Sequence, residues 1–341
     1  MPRERGECPG MRLTRRTLLA APALLATPLR ARGRDRVTFG TNWIAQAEHG
    51  GFYQALADGT YERHGLDVRI VPGGPNVNNR ALLIAGSLDF FMGGSLIQAF
   101  AAVEQNVPTV VVAAIFQKEP QALLSHPGQG LDRWEDLKSI PLLISRTGEA
   151  TFFRWMVAAH GFSPGQLRPY TFNSGPFCRD PRVAQQGYVT AEPFAIERAC
   201  GIRPNVFLLA EYGWDTYSTT IETRIDTLQS RSDVVRRFVE ASILGWSTYL
   251  SGDGAAGNAA IKRDNADMSD EQIAFSTAKL KEYGIVLSGE AIQLGIGALT
   301  EARIQGFFSR MVQAGLVKPD TDWRRSFDPR FVNRGLGLRR G

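Results

Sequence analysis

The chain has 341 residues, of which 43% are apolar, 21% charged and 10% aromatic. That is the length of two ordinary domains and a composition able to bury substantial cores, which excludes disorder and fibrous repeats. The formal net charge is +5, but residues 1–36 hold nine arginines against three acids, so the remaining chain is close to neutral. A clustered basic face of the kind nucleic acid requires is therefore not expected.

The first predicted element is an address. Residues 11–31 read MRLTRRTLLAAPALLATPLRA: a basic stretch, an apolar core from Leu18 to Leu29, then small residues offering cleavage between Ala26 and Ala31. The layout predicts an export signal over 1–31, too short to cross a bilayer. Arg15-Arg16 after Thr14 matches a twin-arginine signal, with a general secretory signal as the other reading and Met11 as a second candidate start. No Cys follows the apolar core, so no lipid anchor is expected. Cys178 and Cys200 would enter an oxidising compartment, and their spacing leaves pairing open.

From Arg36 the pattern alternates strand and helix. Val37–Trp43 reads as a strand, 49–58 as a helix and Leu66–Val71 as a second strand. Asn76 is positioned to cap a helix containing Leu82 and Leu83. A short strand Leu88–Met92 leads to Gly93-Gly94, where Ser95 caps another helix. Val107–Phe116 is a continuous apolar run that predicts a parallel strand buried on both faces. The rhythm restarts near 134, with strands at Ile140–Ser145, Arg168–Phe172 and Val206–Ala210 and a helix over 150–160. Long amphipathic helices follow at 232–250, 269–283 and 300–314.

This order predicts an α/β protein of two lobes, each a mostly parallel sheet flanked by helices. Lobe one takes 36–118 plus 222–341 and lobe two 128–212, with crossovers near 119–127 and 213–221. Ligands of such sheets lie beyond the carboxyl ends of the strands. Those ends carry Asn42, Trp43, Glu48, His49, Asn78, Ser95, Thr147, Gly148, Glu149, Tyr188 and Glu192, and a cleft lined by both lobes is the expected site.

Trp43 beside Gln46, Glu48 and His49 suits a planar polar heterocycle held by stacking and edge contacts; the other reading makes Trp43 core and Glu48 a helix-dipole partner. Gly73-Gly74 and Gly93-Gly94 offer close backbone approach or simply turn chemistry. Thr147, Gly148, Glu149 and Glu192 could close from the second lobe, with Tyr212, Trp214 and Tyr217 as a second aromatic wall. Catalytic and metal constellations are thin: the four histidines are scattered, and GxSxG, HExxH, GxGxxG and GxxxxGK[ST] are all absent. The expectation is a binding protein without catalytic residues, metal or cofactor.

The blocks Asn42-Trp43, Ala47-Glu48-His49-Gly50-Gly51-Phe52-Tyr53, Gly65-Leu66-Asp67-Val68, Gly73-Gly74-Pro75, Gly86–Phe90, Thr147-Gly148-Glu149, Gln186–Pro193 and Tyr217–Thr220 resemble the ABC-transporter substrate-binding proteins related to thiamine-pyrimidine synthases. The resemblance covers most of the chain beyond the signal. It implies a two-lobed periplasmic-binding-protein fold of type II-like design that closes on a small ligand, such as a thiamine-precursor pyrimidine, an alkanesulfonate or a nitrate-like anion. What carries over is a pyrimidine-type pocket, with Asn42 and Trp43 for edge contact and stacking and Gly148, Glu149 and Glu192 for hydrogen bonds from the other lobe; Tyr53, in the first matching block, and Tyr217, of the aromatic wall, complete the candidate ligand-binding residues. The synthase branch uses a Lys, a His and a Cys-rich run, yet here the matching stretches read DFFMGGSLIQ and EYGWDTYSTTI.

The resulting expectation is a monomeric periplasmic receptor for a small planar, pyrimidine-like molecule, serving an inner-membrane ABC permease and its ATPase. A sulfonate or other organic-anion receptor using Arg146 is the first alternative, and a pyrimidine-synthase-type enzyme the second.

Overall fold

The computed structural model describes Gly6 and residues 33–75 and 77–338, so the predicted export signal and Asn76 lie outside the described residues. Arg34–Gly341 forms one compact unit. Ten described strands make two five-stranded sheets, and their order explains how the chain divides between them.

The first sheet begins with β1 (Asp35–Gly40), helix α1 (Gly50–Ala57), β2 (Leu66–Val71), α2 (Asn79–Ile84), β3 (Phe90–Gly93), α3 (Leu96–Glu104) and β4 (Thr109–Phe116). The second holds β5 (Gln121–Ser125), β6 (Leu142–Ile144), α4 (Arg154–His160), β7 (Leu167–Pro169), α5 (Gly175–Arg179), β8 (Ala184–Tyr188), α6 (Glu192–Cys200) and β9 (Asn205–Leu208). The chain then returns to the first sheet as β10 (Ser218–Arg224) and ends in α7 (Ser232–Ser251), α8 (Ala255–Asp264), α9 (Asp270–Glu282) and α10 (Glu301–Gln313).

The strand orders are β2-β1-β3-β10-β4 and β7-β6-β8-β5-β9. Each sheet is mostly parallel with one reversed strand: β10 runs antiparallel to β3 and β4, and β5 antiparallel to β8 and β9. Each antiparallel strand is the one delivered by a crossover from the other sheet, so no right-handed strand–helix–strand unit dictates its direction. The Thr109–Phe116 run is fully buried as its composition implies, but its partner β10 is antiparallel, which corrects the parallel reading.

The first crossover is shorter than the sequence reading has it, and the second lies earlier in the chain. Residues 121–125, assigned there to a crossover, are β5 of the second sheet, and Ser218–Ile221 already pairs in β10. The linking segments run between Phe116 and Gln121 and between Leu208 and Ser218. Arg303 of α10 holds both: its Nη2 donates to the Gln117 carbonyl and, at 2.7 Å, to Asp215, while its guanidinium lies 4.3 Å over the Tyr217 ring.

The core follows the apolar periodicity. Phe39 and Phe90 of the first sheet pack on Phe238 of α7, with ring centroids 5.3 and 4.2 Å away. Beside the crossovers, Trp214 joins Trp155 to Phe307 at 5.3 and 5.4 Å. Cys178 and Cys200 are paired, tying α5 to α6 with their Cα atoms 6.0 Å apart. Among the described residues, no helix is long and apolar enough to cross a membrane.

Candidate functional site

The loop after β1 is fixed from several sides. The Asn79 amide donates to the carbonyls of Thr41 and Val71 at 2.9 and 3.0 Å, and the Thr41 hydroxyl donates to the Trp43 carbonyl at 2.7 Å. A side chain at Gly73 would put its Cβ 2.5 Å from the Thr41 carbonyl oxygen, so that glycine is needed for loop-to-loop packing. Gly93 likewise lies against Glu222 and Thr220, each 2.4 Å from where a Cβ would sit. These two glycines therefore already meet internal neighbours.

The loop presents Trp43 toward the second sheet, where it meets Phe172, a residue the sequence reading did not single out. The ring centroids are 4.4 Å apart and tilted by 52°. Asn42 sits beside Gly94 and Gln98. Continuing along the chain, a short turn over Ala47–His49 carries Glu48 and His49 into buried positions at the start of α1.

Glu48 is 2% exposed; one carboxylate oxygen accepts from the Thr190 hydroxyl, and Oε2 has no hydrogen-bond partner among the described residues. Thr190 lies in the loop between β8 and α6, so this bond links the two sheets' loops. Glu192 opens α6 and accepts the Tyr188 backbone N–H at 2.6 Å. Glu48 and Glu192 line one cavity of about 460 Å³, together with Gln46, Phe194, Arg198 and Gln272. That size is within the range of small-molecule sites. Helix α9 closes one flank, with the Ser276 hydroxyl donating to the Thr190 carbonyl at 2.7 Å.

Burial dominates the electrostatics. It raises the Glu48 carboxyl above the usual range against the Thr190 bond, and it raises Glu192 to about 7, with the charge of Glu48 adding to the effect and the Tyr188 N–H opposing it. Tyr188 is pushed well above its ordinary value by burial and by Glu119, Glu48 and Glu192. His49, 1% exposed, is held neutral because burial lowers it to about 3. In the crossover, burial raises Glu119 to about 8 although the Trp214 indole N–H donates to it. Glu119 is a second residue that the sequence reading passed over, because it stands in the polar stretch Gln117-Lys118-Glu119-Pro120-Gln121 that carries no sign of burial.

The other predicted residues are distributed as follows. Tyr53 is buried and its hydroxyl donates to Asp264 at 2.9 Å, which directs it toward α8. Tyr217 is fully buried under Arg303 and accepts the Thr300 N–H at 3.2 Å. Asn78, rather than the expected Asn76, caps α2 by accepting the Ala81 N–H at 3.1 Å. Ser95 precedes α3, but the N–H of Leu96 is taken by the Thr216 hydroxyl at 3.1 Å. Thr147 and Glu149 are exposed, while Gly148 is buried and donates to the Ser145 hydroxyl at 3.2 Å. Among the described residues, no three metal-ligating side chains form a cluster.

Two pairs thus meet across the sheets: Trp43 with Phe172 by their rings, and Glu48 with Glu192 along one cavity. The fold is shared with solved solute-binding proteins: the alkanesulfonate-binding protein SsuA from Xanthomonas axonopodis pv. citri, bound to MOPS, matches with a TM-score of 0.64 at 12% identity, over 88% of this chain and 100% of that one. The riboflavin-binding protein RibY of Chloroflexus aurantiacus is 24% identical over 332 residues, spanning 94% of this chain and 92% of the relative. The 4-amino-5-hydroxymethyl-2-methylpyrimidine phosphate synthase of Schizosaccharomyces pombe is 29% identical over 105 residues, 30% of each chain. A family model described as NMT1/THI5 like matches residues 46–252, so the two-lobed architecture and the sequence agree, and the chain belongs to the NMT1/THI5-like family.

Proposed function

We propose that this protein is the solute receptor of an ABC importer and that it binds a small planar heterocycle with a pyrimidine-type edge between its lobes. The observation that carries the reading is Glu48 and Glu192, brought from opposite sheets to one cavity of about 460 Å³. Carboxyl groups at a buried edge match ring N–H and amino donors, and Trp43 supplies a face for stacking. Contacts from both lobes form together only when the lobes are closed, so ligand shifts the population toward the closed state. The receptor acts as a monomer, is exported to the periplasm through residues 1–31, and hands its cargo to a permease driven by an ATPase.

The anion alternative fits the cavity less well. Two carboxyls raise the cost of placing a sulfonate there; Arg198, which lines the same cavity, is exposed and faces Glu271 at 4.0 Å, and Arg146 is exposed on a separate turn. The synthase alternative lacks its Lys, His and Cys residues in the matching stretches, and His49 is held neutral and buried.

Calorimetric titration of the purified protein with 4-amino-5-hydroxymethyl-2-methylpyrimidine, riboflavin and MOPS tests the reading. Saturable heat with a heterocycle and none with MOPS is expected. Binding of MOPS alone would replace this reading with the anion receptor.

A further inference from the structure

Phe172 has a backbone φ of 60°, in the left-handed region that disfavours a bulky side chain. The strain is held in place by its neighbours: the Tyr170 N–H donates to the Ile144 carbonyl at 3.1 Å, the Asn173 side chain accepts the Gly175 N–H at 2.8 Å, and the Ser174 hydroxyl accepts from Gln185 at 3.0 Å. Phe172 is 42% exposed, and its ring meets Trp43 of the other lobe at 4.4 Å and Tyr170 at 5.3 Å. A strained backbone that presents a large apolar ring to solvent, opposite the one tryptophan of the candidate site, is the signature of a functional rather than a structural constraint.

We propose that Phe172 is a ligand-contacting, specificity-determining residue: with Trp43 it forms a two-sided aromatic jaw that closes on the faces of a flat ring. The proposal rests on the solute-receptor reading above and adds the second face that the reading lacks. The tilted rings meet directly in this structure; to admit a ring between them they separate to about 7 Å, the far end of ordinary aromatic contact. Such a jaw rewards a ligand that is flat and polarisable on both faces, and gives little to a tetrahedral anion or an aliphatic chain. Tyr170, on which the Phe172 ring packs at 5.3 Å, is raised by burial and by the charge of Glu192, which sets the carboxyl-bearing start of α6 on the same side of the second sheet's loops as the proposed jaw.

The test measures riboflavin and aminopyrimidine affinity by calorimetry, and Tm by calorimetric unfolding, for the native protein and for Phe172→Ala, Phe172→Tyr and Phe172→Gly. Phe172→Ala is expected to weaken the heterocycle by about tenfold to a hundredfold, the range for loss of one stacking face, and Phe172→Tyr to stay within about threefold. Phe172→Gly is expected to lose affinity like the alanine variant while its Tm stays within about 3 °C of native or rises, because glycine relieves the left-handed strain. Native affinity in Phe172→Ala, or a Tm in Phe172→Gly that falls well beyond that margin, overturns the proposal and leaves the receptor reading standing. A native protein that binds neither heterocycle overturns both.

Discussion

Thr190 donates its hydroxyl hydrogen to the carboxylate of Glu48, joining the loop after β8 in the second sheet to the turn that opens α1 beside the first. Both residues are buried. Thr190→Val removes the donor while keeping the shape and leaves Glu48 with neither oxygen satisfied. A loss of about 1–3 kcal/mol of unfolding free energy is expected from the stranded acceptor, read by urea denaturation. Thr190→Ser should recover most of it, and a valine variant as stable as the native protein would show that the bond contributes nothing.

Glu192 gives the binding reaction a pH dependence. Its folded value is raised to about 7, so the carboxylate proposed to accept ligand N–H groups is lost as pH falls through that value. Affinity for a probe that does not itself titrate should therefore decline about tenfold per pH unit below about pH 7 and level off above it. In Glu192→Gln the slope should vanish along with much of the affinity. An unchanged slope in that variant would assign the titration to another group.

Glu119 acts on stability with its own sign. Burial raises it from 4.5 to about 8, so the folded protein holds a proton that the unfolded chain releases near 4.5. Its contribution is present below that lower value and is lost as pH rises toward about 8. Glu119→Gln keeps an acceptor for the Trp214 indole and cannot titrate. Its Tm should fall less than the native Tm between about pH 5 and pH 8, and parallel curves would contradict the assignment.

Cys178 and Cys200 lie 22 residues apart in sequence and pin α5 to the end of α6, the helix that Glu192 opens. Replacing both with Ser should cost about 3 kcal/mol by the loop-closure argument, and reductant should lower the native Tm but leave that of the double variant unchanged. Equal responses would mean that the pair does not stabilise the fold.

The alternation of strand and helix was legible because apolar spacing reports which face an element buries. Strand direction was not: every residue of Thr109–Phe116 is buried, and a run apolar on both faces reads alike in a parallel or an antiparallel setting. For the same reason β5 was hidden inside a supposed crossover. Trp43, Glu48 and Glu192 were legible as site candidates because they follow strand ends, whereas Tyr53, within α1, and Tyr217, ahead of β10, turn inward to Asp264 and Arg303. Phe172 escaped notice because a left-handed φ at a phenylalanine leaves no trace in composition or spacing.

The most direct test of the account is mass spectrometry of small molecules released by denaturing the protein after gentle purification from its native cells. The account predicts a stoichiometric flat heterocycle with ring N–H or amino donors, displaced in a protein carrying Trp43→Ala or Glu192→Gln. A stoichiometric alkanesulfonate, or another non-aromatic anion retained by both variants, would contradict it.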